Sequence, residues 1–93
     1  MPTSFEKDPQ ATLDYLFDWS EWLGSGESIT SATVTAESGL TVDSTDVVNG
    51  TGVRAWLSGG EDWTAYEVTC SITTDSSPAR VDERTMTIMV RDR

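Results

Sequence analysis

Between residues 13 and 19 the chain alternates strictly. Leu13, Tyr15, Phe17 and Trp19 fall on one face; Asp14, Leu16 and Asp18 fall on the other. A period of two sends successive side chains to opposite sides of a strand, so this stretch predicts a strand with an aromatic inner face. Residues 20–23 fit one helical turn capped by Asp18 or Ser20, and Gly24-Ser25-Gly26 breaks the chain after it. Residues 27–35, rich in Ser, Thr, Ile and Val, predict a second strand. Its inward parity changes between Ile29 and Val34, which calls for a β-bulge near Ser31-Ala32. After a turn at Ser38-Gly39, Leu40 and Val42 mark a short third strand. Val47-Val48 then lead into Asn49-Gly50, a strong turn dipeptide.

The second half alternates as clearly. Val53, Ala55 and Leu57 share one face, with Arg54 and Trp56 on the other. In residues 65–73, Tyr66, Val68, Cys70 and Ile72 point inward, and Glu67, Thr69, Ser71 and Thr73 outward. In residues 85–91, Met86, Ile88 and Val90 point inward. Short strands with turn signals every ~8–12 residues predict an antiparallel sandwich or small barrel. The expected fold is all-β, a small immunoglobulin-like β-sandwich of six to seven strands. Residues 13–93 form its single domain. Residues 1–12, polar and carrying Pro2 and Pro9, read as an extended N-terminal arm with Phe5 as its one large aromatic. Tyr66, heading a late strand just after a Gly-rich loop, suits the corner at which such domains bond a tyrosine hydroxyl to backbone.

Composition narrows the chemistry. Ser and Thr account for 25 of 93 residues and apolar residues for 37%. That mix favours half-buried strands and a thin core. Net charge is −10: residues 1–50 carry nine acids against Lys7, and residues 51–93 carry seven acids against five arginines. An acidic surface repels phosphate backbones and anionic lipid, so neither nucleic acid nor a membrane is an expected partner. Cys70 is the only cysteine. It cannot pair within the chain and reads as a small core hydrophobe. The N-terminal stretch lacks a secretory pattern, which fits synthesis in a reducing cytoplasm.

No catalytic set emerges. With no histidine there is no Ser-His-Asp triad and no imidazole metal ligand. The glycine pairs lack the helix and lysine of a phosphate loop. Asp43, Asp46, Glu61 and Asp62 read as loop acids without calcium-loop spacing. Asn49-Gly50-Thr51 matches a glycosylation sequon but reads as a turn. No cofactor or metal is expected.

The candidate chemistry is therefore recognition. There are four tryptophans. Trp19 continues the inward face and reads as core, whereas Trp22, Trp56 and Trp63 are hard to bury together in so small a domain. An exposed tryptophan anchors an interface or stacks on a sugar ring, or is ordinary surface packing. Phe5, Trp22, Trp56 and Trp63 are the candidate contacts. With them go Arg80, Arg84, Arg91 and Arg93, which contrast with the acidic first half and read either as solvated strand and loop charges or as one side of a head-to-tail meeting of copies.

Several segments resemble a family of short tailed-phage proteins, the fiber-tail adaptor proteins. They are residues 13–23 (Leu-Asp-Tyr-Leu-Phe-Asp-Trp-Ser-Glu-Trp-Leu), Gly39-Leu40-Thr41-Val42, Ala55-Trp56-Leu57-Ser58-Gly59-Gly60, Tyr66-Glu67-Val68-Thr69 and residues 82–88. The Asp-Trp-Ser-x-Trp-Leu and Trp-Leu-Ser-Gly-Gly pieces are the distinctive ones. The resemblance implies a non-enzymatic bacteriophage virion protein joining fibers or accessory proteins to the tail. Its expected location is the tail or head-tail region. Its expected partners are tail, nozzle or fiber proteins and copies of itself. A capsid decoration or cement protein, and a carbohydrate-binding module using Trp63 or Trp22, are the alternative readings.

Overall fold

In the computed structural model, which describes residues 3–91, the alternating segments become seven strands. They are β1 (Thr3–Lys7), β2 (Leu13–Asp18), β3 (Ile29–Ala36), β4 (Leu40–Val48), β5 (Gly52–Gly59), β6 (Thr64–Thr74) and β7 (Val81–Val90). Two sheets pack face to face, one ordered β1-β7-β6-β3 and the other β2-β5-β4. All pairs are antiparallel except β1 with β7, which run parallel. In an immunoglobulin-type sandwich the second, fifth and fourth strands share one sheet and the third, sixth and seventh the other. This chain has that arrangement, with its first strand beside the last instead of beside the second.

The core lies where the inward parities meet. Tyr15, Phe17 and Trp19 from β2 and its end face Val53, Ala55 and Leu57 from β5. Tyr66, Val68, Cys70 and Ile72 from β6 and Met86, Ile88 and Val90 from β7 complete it, and all are buried. Each large aliphatic side chain enclosed this way contributes roughly 1.5–3 kcal/mol. Leu13, on the same parity but at the strand's start, is 40% exposed.

Two bulges reconcile parity with burial. In β3 the register slips between Ile29 and Ser31, so Thr30 is the extra residue. That lets Ile29 and then Ala32, Val34 and Ala36 face inward, one position earlier than the sequence placed the irregularity. In β4 the slip lies between Val42 and Ser44. The pieces read as a short third strand and a separate Val47-Val48 are therefore one nine-residue strand bulged at Asp43. Asp43 and Asp46, read as loop acids, lie in this strand.

Turns follow their chemistry. Asn49 and Gly50 both take positive φ, 54° and 69°, and Thr51 N–H donates to the Val48 carbonyl at 3.1 Å. This is the mirror-image hairpin turn that Asn-Gly favours. At the end of β2, Ser20 N–H donates to Asp18 Oδ1 at 2.8 Å, and Leu23 N–H to the Trp19 carbonyl at 3.0 Å, closing the single turn expected there. The Tyr66 hydroxyl accepts Glu61 N–H at 2.9 Å, so the tyrosine does tie the head of β6 to the loop before it. The Ser77–Pro78 peptide in the β6–β7 connection is cis.

Within the stretch read as an extended arm, residues 3–7 form a strand built into the sheet, and a turn follows in which Ala11 N–H donates to the Asp8 carbonyl at 3.0 Å. Phe5 lies opposite Ile88 in register, its ring 5.2 Å from that of Tyr15. Lys7 is fully buried and donates Nζ to the carbonyls of Gly59 (2.7 Å) and Asp8 (2.9 Å). An inward lysine hides the strand's parity in the sequence. Its four-carbon stem fills space, while its ammonium is satisfied by backbone oxygen.

Candidate protein interface

Three arginines, each paired with a carboxylate, lie over three indoles along the line of β7. Just before the strand, the Arg80 guanidinium lies 4.0 Å from the centre of the half-buried Trp22 ring. Arg80 Nε donates to Glu27 Oε2 at 2.9 Å, and Nη2 to Glu27 Oε1. These bonds, with Gly24 N–H (2.8 Å), hold the Glu27 carboxyl well below the usual carboxylate range. Trp22, Glu27 and Arg80 line an open groove of about 540 Å³ against residues 76–78.

Near the start of β7, Asp82 and Arg84 pair in register with the inward Ile72 and Cys70. They therefore face the open end of the sandwich, where Trp19 lies. The Trp19 Nε1–H donates to Asp82 Oδ2 at 2.8 Å, and Arg84 covers the ring at 4.8 Å. Arg84 also donates to the Asp18 carbonyl, and its Nε lies 3.8 Å from Asp82. The arrangement is a polar lid on a buried indole.

Just after β7, Arg91 lies 4.8 Å from the Trp63 ring centre and pairs with Glu6 at 2.8 Å. Here the indole is 69% exposed. Trp63 also has φ +63°, a left-handed backbone in which a bulky side chain is a genuine outlier. The loop around it is fixed: Trp63 N–H donates to the Val90 carbonyl at 2.6 Å, and Gly60 N–H to that of Gly39 at 3.0 Å. Gly60 has φ +95°, and a Cβ there would lie 2.6 Å from Val90 Cγ2, so only glycine lets the loop fold down this closely. Strain held by surrounding structure is what functional loops carry.

The fourth feature is the outer face of β2-β5-β4. Trp56, 38% exposed, lies opposite Asp14 on β2 and Ser44 on β4. Arg54 lies between Leu16 and Asp46 in the same registers and pairs with Asp14 at 3.3 Å. Leu16 is 48% exposed and occupies the position diagonal to Trp56 on this face. Sequence reasoning found Trp56 but passed over Leu16. Its signal was plain: an apolar residue on the polar parity of β2.

Phe5, Trp22, Trp56 and Trp63 therefore do not form one patch, and Arg80, Arg84 and Arg91 are engaged within the chain. Arg93 lies outside the described residues. Burial pushes the Cys70 thiol up to about 12, which makes it inert. Among the described residues, no group of three or more Cys, Asp or Glu side chains could hold a metal ion. What the molecule offers is a rigid frame with separately mounted aromatic groups.

A comparison with curated proteins finds no match. Residues 7–89 match the family model described as podophage GP4 fiber-tail adaptor protein gp77. The match takes in six of the seven strands, the Trp63 loop and the Trp56 face. The chain belongs to this podophage fiber-tail adaptor family, and it is a non-enzymatic structural component of the virion tail.

Proposed function

We propose that the chain links fibers or accessory proteins to the tail by inserting preset aromatic anchors into neighbouring virion proteins, with copies of itself arrayed around the tail. The observation that carries this reading is Trp63. Its indole projects from a loop that three backbone N–H bonds and two glycines hold in place, at a φ that a mobile loop would avoid. A rigid aromatic side chain loses little freedom on binding, which is why tryptophan dominates interface energetics.

The test replaces Trp63 by alanine in the phage and counts fibers or accessory proteins on purified particles by electron microscopy. The expected particles carry tails depleted of one neighbouring component, while the purified variant keeps the thermal midpoint of the unaltered chain. Particles with a full set of tail components would overturn the reading.

A further inference from the structure

We propose that the outer face of β2-β5-β4, centred on Trp56 and Leu16, is a second docking surface, and that its occupant is a lysine- or arginine-rich segment of a different virion protein. This rests on the adaptor reading and adds the identity of one partner by its chemistry.

The face combines two exposed apolar side chains with an acidic surround. Trp56 and Leu16 occupy its middle, and Asp14, Asp18 and Asp46 share their parity. Arg54 is the cation among them, and Asp14 already holds it. Apolar groups ringed by polar ones are the usual anatomy of an interaction site: the centre supplies affinity and the rim selects the partner by charge.

The chain's own cations argue against a second copy as the occupant. Lys7 is buried against carbonyl oxygens. Arg54, Arg80, Arg84 and Arg91 are each paired with a carboxylate of the same chain. Those are all the lysines and arginines among the described residues. A copy carrying net charge −10 would meet this acidic face with like charge. Of the arginines that the sequence offered for head-to-tail contact, Arg80, Arg84 and Arg91 are held in internal pairs. Among the described residues no cation is left over to face these aspartates, so a basic segment of another protein is the complementary occupant.

The experiment places a photo-crosslinking amino acid at position 56, and separately at position 63, in the full chain assembled into virions. Cross-linked peptides are identified by mass spectrometry. The expected result is a link from position 56 to a Lys/Arg-rich segment of another virion protein. A link from 56 to a second copy of this chain, or to an acidic segment, would overturn the proposal. So would no link from 56 while 63 links to a neighbour. Absence of links from both positions would instead remove the adaptor reading beneath it.

A competition assay supplies the energetic arm, with purified chain added to tail particles lacking it. Trp56→Thr keeps a strand-favouring residue and is expected to bind about thirtyfold more weakly. Asp46→Lys, which reverses one rim charge, is expected to bind more weakly at low salt and to converge on the unaltered chain as salt rises. Equal binding by both variants at low salt would also overturn the proposal.

Discussion

Trp19 and Trp63 each lie 4.8 Å beneath an arginine paired with a carboxylate, yet one is fully buried and the other 69% exposed. The difference lies in what fixes the indole. Trp19 continues the inward parity of β2, stacks near Phe17 (centroids 6.1 Å apart) and hands its only polar atom to Asp82. Its arginine is a cover. Trp63 is fixed by its backbone, through a left-handed φ and the bond to Val90, and its arginine supports a ring that solvent reaches. The same trio of indole, guanidinium and carboxylate closes the sandwich at one end and projects from it at the other. Cation–π contact alone therefore says nothing about role; burial and the source of constraint decide it.

Substitution should separate the two most sharply at Trp19. Trp19→Ala is expected to lower unfolding free energy by about 3–5 kcal/mol, read from urea denaturation, because it empties a fully enclosed site. A loss under about 1 kcal/mol would place Trp19 with Trp63 as a surface group. Asp82→Ala should follow at about 1–3 kcal/mol, since it strands a buried indole N–H.

The third stack, Trp22 with Arg80 and Glu27, is expected to make stability acid-sensitive. The Glu27 carboxyl is held below its ordinary value of 4.5, chiefly by the Arg80 bonds. Its contribution is thus complete above that value and is withdrawn as pH falls below it. Asp18, held down mainly by its bonds to Ser20, acts in the same direction. The urea midpoint should fall between pH 6 and pH 3, and Glu27→Gln should flatten part of that fall. The smallest expected effect is Trp63→Gly, which removes the left-handed penalty and should leave stability unchanged or raised by up to about 1 kcal/mol. The same variant should lose attachment to its neighbour. A clear loss of stability would make Trp63 structural after all.

Much of this frame was legible because β2, β5 and β6 have one dry face each, and alternation records that directly. Tyr66 and the Asn49-Gly50 turn were legible for the same local reason. What stayed hidden depends on distant partners. β1 pairs with a strand some eighty residues away, and its inward Lys7 breaks the apolar pattern. Arg80 and Arg91 looked available because their acids are remote in sequence: Glu27 and Arg80 are 53 residues apart, Glu6 and Arg91 85. Leu16 was visible and was outweighed by the aspartates flanking it. The loop holding Trp63 could be marked as exposed, but its fixed backbone follows from contacts with Val90 and Gly39 that no local pattern announces.

Lys7 carries a practical consequence. It is the only lysine in the chain, and its amine is enclosed by its own fold. Acylating reagents and lysine-cutting proteases therefore have no side-chain target until β1 peels from β7. The rate of Lys7 acylation on the otherwise unaltered protein is a clock for that opening. Slower acylation in the assembled tail than in the free chain would reveal that neighbours clamp the first strand.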